Sequence, residues 1–161
     1  NDYAVSKLAM EHAARLRAGR LPIVTVRPFN YTGVGQAPHF LLPKIVDHFR
    51  RGDRRIELGN LDVARDFSDV RDVVVIYRRL IERAPPGTLV NVCSGAAHSL
   101  SDVLDLMAGI AGYRIDVTVN PAFVRANEVR RLAGDTSRLQ ELIGPMERTP
   151  LPATLGWMYE A

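Results

Sequence analysis

The sequence predicts an α/β fold built on a mainly parallel sheet, and three observations carry that expectation. Short β-branched runs such as Ile23–Val26 and Leu89–Val92 alternate with stretches of helical period, the pattern of strand–helix–strand units. The first of these runs leads directly into Arg27-Pro28-Phe29-Asn30-Tyr31-Thr32-Gly33-Val34-Gly35-Gln36. A polar, glycine-containing loop at the C-terminal end of a strand is where an open α/β sheet builds its ligand site. Ahead of it, Tyr3 and Lys7 stand four residues apart in Tyr3-Ala4-Val5-Ser6-Lys7, a spacing that puts both side chains on one face of a helix.

The elements follow in order. Residues 3–18 read as a helix that Gly19 stops, and 23–27 as a buried strand. A helix is expected over 40–51, with Pro43 near its first turn and Gly52 just after it, both tolerated there. Arg55 to Leu58 reads as a short strand. Asp69 can cap a helix running to about Arg83, with Val73, Val74, Tyr77, Leu80 and Ile81 as its buried stripe. Pro85-Pro86-Gly87 breaks the chain before the strand Leu89 to Val92. Ser99 or Ser101 caps the next helix, which runs to about Ala111, and 114–119 is a strand. Thr136 or Ser137 opens a short helix that Gly144-Pro145 ends, and Thr149-Pro150 starts a terminal one.

Composition excludes several function classes. The chain has 161 residues and is 47% hydrophobic, enough for a buried core in which aliphatic residues dominate. It contains no apolar run of membrane-spanning length and no signal-peptide pattern. With the lone Cys93 unable to form an internal disulfide, a reducing, cytoplasmic setting is expected. The net charge is +3, and the arginines pair at Arg50-Arg51, Arg54-Arg55, Arg78-Arg79 and Arg130-Arg131 without the contiguous aromatic-interleaved stripe of a nucleic-acid binder. Neither nucleic acid nor membrane is an expected partner. His12, His39, His48 and His98 lack metal-site spacing, and no metal is expected. Only two cations are lysines, Lys7 and Lys44.

The chemistry suggested by the Tyr3–Lys7 pair is acid–base catalysis. An ammonium one turn from a phenol favours the phenolate, and such a tyrosine can exchange a proton with a substrate oxygen while hydride moves at the adjacent carbon. Y-A-V-S-K, R-P-F-N-Y-T-G-V-G-Q, Leu58-Gly59-Asn60-Leu61-Asp62, Arg65-Asp66-Phe67 and Asp69-Val70-Arg71-Asp72 together resemble the extended short-chain dehydrogenase/reductases that act on nucleotide-diphosphate sugars. The resemblance runs from Tyr3 to about Leu155. Within that family it is nearest to the GDP-4-keto-6-deoxymannose reductases, which form GDP-D-rhamnose. The related GDP-mannose 4,6-dehydratases share L-G-N-L-D and R-D but usually read N-H-E-S-P where this chain has Asn30-Tyr31-Thr32-Gly33-Val34.

The resemblance implies a role for each matching residue. Tyr3 matches the general acid that protonates the C4 oxygen, and Lys7 the residue that tunes it and hydrogen-bonds the nicotinamide ribose of NAD(P)H. Pro28 and Tyr31 would line the cofactor, and Asn30 would touch the sugar nucleotide. Lys44 and Arg65 would meet the diphosphate of a GDP-sugar, although Arg65 could equally pair locally with Asp62 or Asp66. Arg125-Ala126-Asn127-Glu128 resembles an R-x-x-E segment in which the arginine meets phosphate and the glutamate accepts ribose hydroxyls. Gly134-Asp135 with Ser137-Arg138-Leu139 resembles the family's G-D-x-S-K-L. Asp69 and Asp72 read as helix-start partners rather than catalysts, and Cys93 as a small buried residue.

A dinucleotide fold also needs a glycine-rich turn between a first strand and a helix, and no such fingerprint stands in this sequence. Gly33-Val34-Gly35 is followed by Gln36-Ala37-Pro38, not by a helix start. The expectation is therefore the C-terminal part of a Rossmann-type doubly wound parallel sheet plus a small substrate-binding α/β subdomain, lacking the N-terminal cofactor-binding half. Such a piece alone is expected to be inactive. A dehydratase or 4-epimerase on the same scaffold, or a non-catalytic sugar-nucleotide-binding fragment, are the alternatives. By analogy with the family, the protein is expected to be a homodimer.

Overall fold

The computed structural model describes residues 1–124 and 129–161. Helix α1 (Asp2–Arg15) is capped by Asn1, whose side chain accepts from the Ala4 amide. It ends three residues earlier than its sequence predicts, dissolving into turns closed by Arg17 N–H to Ala14 and Ala18 N–H to Arg15. Strand β1 (Thr25–Pro28) pairs in parallel with β5 (Leu89–Val92), Thr25 opposite Leu89. Strand β3 (Arg55–Leu58) pairs in parallel with β7 (Asp116–Val119). The third sheet centres on β4 (Ala64–Asp69), which takes β2 (Asn30–Thr32) and the short β8 (Arg131–Leu132) in parallel and β6 (Ala97–Ser99) antiparallel. The expected mainly parallel α/β architecture is what the chain adopts.

The helices bury this framework in two apolar clusters. One gathers Ile45 and Phe49 of α2 (Leu41–Arg50), Ile56 and Leu58 of β3, and Phe67 of β4. Val103 and Met107 of α4 (Leu100–Ala111) and Leu155 of α6 (Leu151–Glu160) complete it. The other joins Val73, Ile76 and Leu80 of α3 (Val70–Arg83) to Val90 and Val92 of β5 and to Leu139 and Ile143 of α5 (Ser137–Ile143). Each fully buried aliphatic side chain contributes roughly 1.5–3 kcal/mol, so the clusters outweigh any surface ion pair. No helix among the described residues is long and apolar enough to cross a membrane.

Helix α3 shows where an apolar run misleads. The sequence Val73-Val74-Val75-Ile76 offers hydrophobic surface on several faces, and the stripe that packs is Val73, Ile76 and Leu80. Val74 and Ile81, both expected inside, are 63% and 81% exposed. The face is chosen by α5 and β5, not by the helix itself.

Strand β4 was hidden for the opposite reason. Its residues Ala64-Arg65-Asp66-Phe67-Ser68-Asp69 include three polar side chains that the fold buries, where sequence reasoning looks for an apolar run. Burying a carboxylate is tolerated only when its oxygens are saturated with hydrogen bonds. Asp66, with no exposed surface, accepts from Ser94 N–H at 2.8 Å and Ser94 Oγ at 2.7 Å on Oδ1. Its Oδ2 accepts from Gly95 N–H at 2.9 Å and Gly134 N–H at 3.1 Å. Gly134 must be glycine, because a Cβ there would collide with the Cβ and Sγ of Cys93.

Replacing Asp66 by alanine strands three main-chain donors at once. Asp66→Ala is expected to cost about 3 kcal/mol or more, read as a lowered urea midpoint. Asp66→Asn, which keeps one acceptor oxygen, should fall between alanine and wild type. A midpoint unchanged in Asp66→Ala would remove the carboxylate from its structural role.

Candidate functional site

The first predicted pair lies on α1. Tyr3 is 71% exposed, and the Lys7 ammonium sits 5.4 Å from the centroid of its ring. The helical i,i+4 spacing therefore does bring phenol and ammonium together. Neither side chain forms a hydrogen bond or ion pair with other described residues, so both groups are available at the surface. The helix is held further along, where Arg27 of β1 donates to both carboxylate oxygens of Glu11, each at 2.7 Å. That fork holds the Glu11 carboxyl below the usual carboxylate range.

The second group lies where β1 and β2 meet the rest of the sheet. Pro28 ends β1 beside Val92, and Phe29 carries the chain across into β2 by donating its N–H to the Val92 carbonyl. Asn30 pairs with Phe67, and its Nδ2 donates to the Asp66 carbonyl at 3.3 Å. Tyr31 is 44% exposed and lies opposite Ser68. The loop expected over 27–36 is thus partly a strand. It is fixed by its register on β4, and turned by Gln36, which accepts from Thr32 Oγ1 and donates to the Tyr31 carbonyl.

Lys44 and Arg65, both expected at the diphosphate, have separate partners. The Lys44 ammonium donates to the Glu57 carbonyl at 2.7 Å and lies 4.8 Å from the Phe123 ring centroid. Arg65 Nη1 donates to the carbonyls of Ala64 at 2.9 Å and Val129 at 2.7 Å. The two cations therefore stand at opposite ends of the segment 124–129, one at the residue before it and one at its last residue. Arg125 and Glu128, the residues expected to meet phosphate and ribose, lie outside the described residues.

Asp69 and Asp72 have the structural roles expected of them. Asp69 caps α3 by accepting from the Arg71 N–H at 2.8 Å, and takes Arg71 Nη2 at 2.7 Å and Thr154 Oγ1 of α6 at 2.8 Å. Arg71 stacks in turn on Trp157, 3.8 Å from the ring centroid. Asp72 accepts from the N–H and Oγ1 of Thr149. These contacts tie the C-terminal end of β4 to α6, a role only their position before an apolar helix hinted at. Cys93 is fully buried. Burial, with the Asp66 carboxylate adding to it, pushes its thiol up to about 11, so it is not a nucleophile near neutral pH.

The arrangement of α1, β1, β2 and β5 has close counterparts among known structures. A crystal structure of a Burkholderia cenocepacia protein is 60% identical and superposes with a TM-score of 0.97 over 99% of this chain and 53% of that one. RMD from Pseudomonas aeruginosa complexed with NADPH, 31% identical, matches with a TM-score of 0.92 over 99% of this chain and 55% of its own. The fold is thus that of about half of an extended short-chain dehydrogenase/reductase. Over residues 1–155 the chain belongs to the GDP-mannose 4,6 dehydratase family, within the NAD-dependent epimerase/dehydratases.

Among curated relatives, it is 37% identical to GDP-6-deoxy-D-talose 4-dehydrogenase of Aggregatibacter actinomycetemcomitans over 99% of the chain. It is 36% identical to GDP-6-deoxy-D-mannose reductase of Pseudomonas aeruginosa over 89%. It spans 55% and 50% of those two relatives' lengths.

The Asp69 cap carries a pH prediction. Burial raises the Asp69 carboxyl, but the hydrogen bonds from Arg71 and Thr154 outweigh it and leave the group below its ordinary value. A carboxyl depressed in the folded state stabilises above its unfolded pKa, about 3.9, and loses that contribution as pH falls through the folded value. The urea midpoint should therefore drop as the pH is taken below about 4. Asp69→Asn should start from a lower midpoint at neutral pH and show a shallower fall over the same range. An unchanged acid limb in Asp69→Asn would assign the acid sensitivity elsewhere.

Proposed function

We propose that this chain is the catalytic-helix and substrate-subdomain part of an NAD(P)H-dependent nucleotide-sugar reductase. The ketone at C4 of GDP-4-keto-6-deoxy-D-mannose would be its substrate and GDP-D-rhamnose its product. The observation that carries this reading is the Tyr3–Lys7 pair, the ammonium 5.4 Å from the centroid of the phenol ring on one exposed helix face, in a chain of the GDP-mannose dehydratase family. The name of one relative, a GDP-6-deoxy-D-talose 4-dehydrogenase, supports C4 as the reacting carbon, and that of the other, a GDP-6-deoxy-D-mannose reductase, supports reduction.

The donors of this chain fit one end of the cofactor. Lys7, with no ion pair among the described residues, can donate to a ribose diol, and Pro28 and Tyr31 offer an apolar edge and a ring at the end of β1 and on β2. The glycine-rich turn that would hold the pyrophosphate is not part of this sequence. When bound, the nicotinamide supplies hydride to C4. The residues of this chain do the rest: Asn30 orients the sugar, and Tyr3 Oη gives its proton to the C4 oxygen, so that carbonyl, hydride and proton balance to an alcohol. The Lys7 ammonium then stabilises the phenolate that Tyr3 becomes. Lys44, Arg65, Arg125 and Glu128 belong to the nucleotide end of the site, and a homodimer is the proposed assembly.

The talose relative favours a second reading of the same chemistry. 6-Deoxy-D-talose and D-rhamnose differ only in configuration at C4, so the face that hydride reaches decides the product. The test is NAD(P)H oxidation by the full-length enzyme with the 4-keto sugar, followed by NMR of the product to fix C4. Tyr3→Phe should lower kcat by about 10²–10⁴-fold, the scale of a lost general acid, with GDP binding unchanged. Normal turnover in Tyr3→Phe would sink the assignment of the acid.

A further inference from the structure

Lys44 is drawn by its sequence to a phosphate, yet its ammonium is already engaged. It donates to the Glu57 carbonyl at 2.7 Å and covers the Phe123 ring. Glu57 itself is held at its other end, where its carboxylate accepts from Asn120 Nδ2 at 3.0 Å. Asn120 continues the β3–β7 pairing by donating its N–H to Leu58 at 2.8 Å. It then opens the turn Pro121–Phe123, its Oδ1 accepting from the Ala122 N–H. From below, the turn rests on Gly59, where a Cβ would lie 2.8 Å from the Phe123 carbonyl oxygen. Phe123 is half exposed, so the ammonium above it and the bare backbone beneath it are what fix its position.

We infer that Lys44 is a positioning residue: it clamps the Asn120–Phe123 turn onto the end of β3 and so sets the nucleotide end of the site without itself touching phosphate. The inference rests on the GDP-sugar reading of that site. An ammonium with a carbonyl on one side and a ring on the other has two of its directions occupied. Swinging the side chain away toward a diphosphate would weaken both contacts and loosen the turn. The geometry also explains the glycine of Leu58-Gly59-Asn60, which the close approach of Phe123 requires.

Two measurements on the full-length protein separate the possibilities. In ligand-free protein, Lys44→Met should speed amide hydrogen exchange at Asn120, Phe123 and Val124 relative to wild type, and Lys44→Arg, which can still donate and stack, should restore much of the protection. Calorimetric titration with GDP and with guanosine then reads the site. Loss of a charged hydrogen bond on this scale weakens binding by about tenfold, and in Lys44→Met the factor should be the same for both ligands. A fall confined to GDP, with guanosine unaffected, would make Lys44 a phosphate ligand and overturn the inference, as would unchanged exchange at the turn. Faster exchange in Lys44→Met, together with a wild-type protein that binds neither ligand, would keep the clamp and remove the GDP-sugar reading instead.

Discussion

The carboxylate of Asp66 is the constraint on which the rest of the structure depends. It lies on β4, the strand at the centre of the largest sheet, and its four hydrogen bonds reach Ser94, Gly95 and Gly134. Those residues follow β5 and β8, so one side chain fixes the exits of two strands from neighbouring sheets. The next residue, Phe67, points into the cluster built by α2, α4 and α6. Adjacent residues of a strand face opposite ways, and here one face is satisfied by hydrogen bonds and the other by packing. Without an acceptor on β4 the amides of Ser94, Gly95 and Gly134 would lose their partners, and the exits of β5 and β8 would no longer be tied to that strand.

That arrangement explains which parts of the fold were legible in the sequence. The helices α2, α3 and α4 and the strands β3 and β5 declare themselves, because their periodicity and their capping residues agree: Asp69 and Ser99 accept from the helix amides they precede. Strands β2, β4 and β6 do not. Their residues are polar or mixed, and they are strands because a partner lies alongside them, as Asn30 does with Phe67 and Ala97 with Asp66. A single sequence carries no signal for pairing between segments more than thirty residues apart. The stripe of α3 was misplaced for a related reason, since Val74 and Ile81 are as apolar as Val73 and Leu80, and only the position of α5 decides between them.

The candidate site shows the same division. The Tyr3–Lys7 pair is local, one turn of one helix, and its juxtaposition follows from spacing alone. Asn30, expected to touch the sugar nucleotide, lies within a strand with its amide on the Asp66 carbonyl. The roles of Arg71, which braces Asp69 and stacks on Trp157, and of Thr154, which completes the Asp69 shell, could not be read at all. Both depend on α6 lying across the start of α3, some eighty residues away in sequence. The motif Asp69-Val70-Arg71-Asp72 is therefore first a joint between helices, and it supports the site by holding the C-terminal end of β4.

The two lysines bring these levels together. Elsewhere the chain uses arginine, and its planar fork is matched to carboxylates: Arg27 grips both oxygens of Glu11, and Arg71 both oxygens of Asp69. A guanidinium at Lys7 would carry the same charge but spread it over a plane, where stabilising a phenolate one turn away favours a compact one. At Lys44 the acceptors are a single main-chain carbonyl and an aromatic face, a pair that one ammonium can serve from a single point. The chemistry of the two positions differs, since Lys7 is open to a ligand and Lys44 is closed onto the protein. Composition marked both as unusual, and it is the Glu57 carbonyl and the Phe123 ring that distinguish the engaged lysine from the open one.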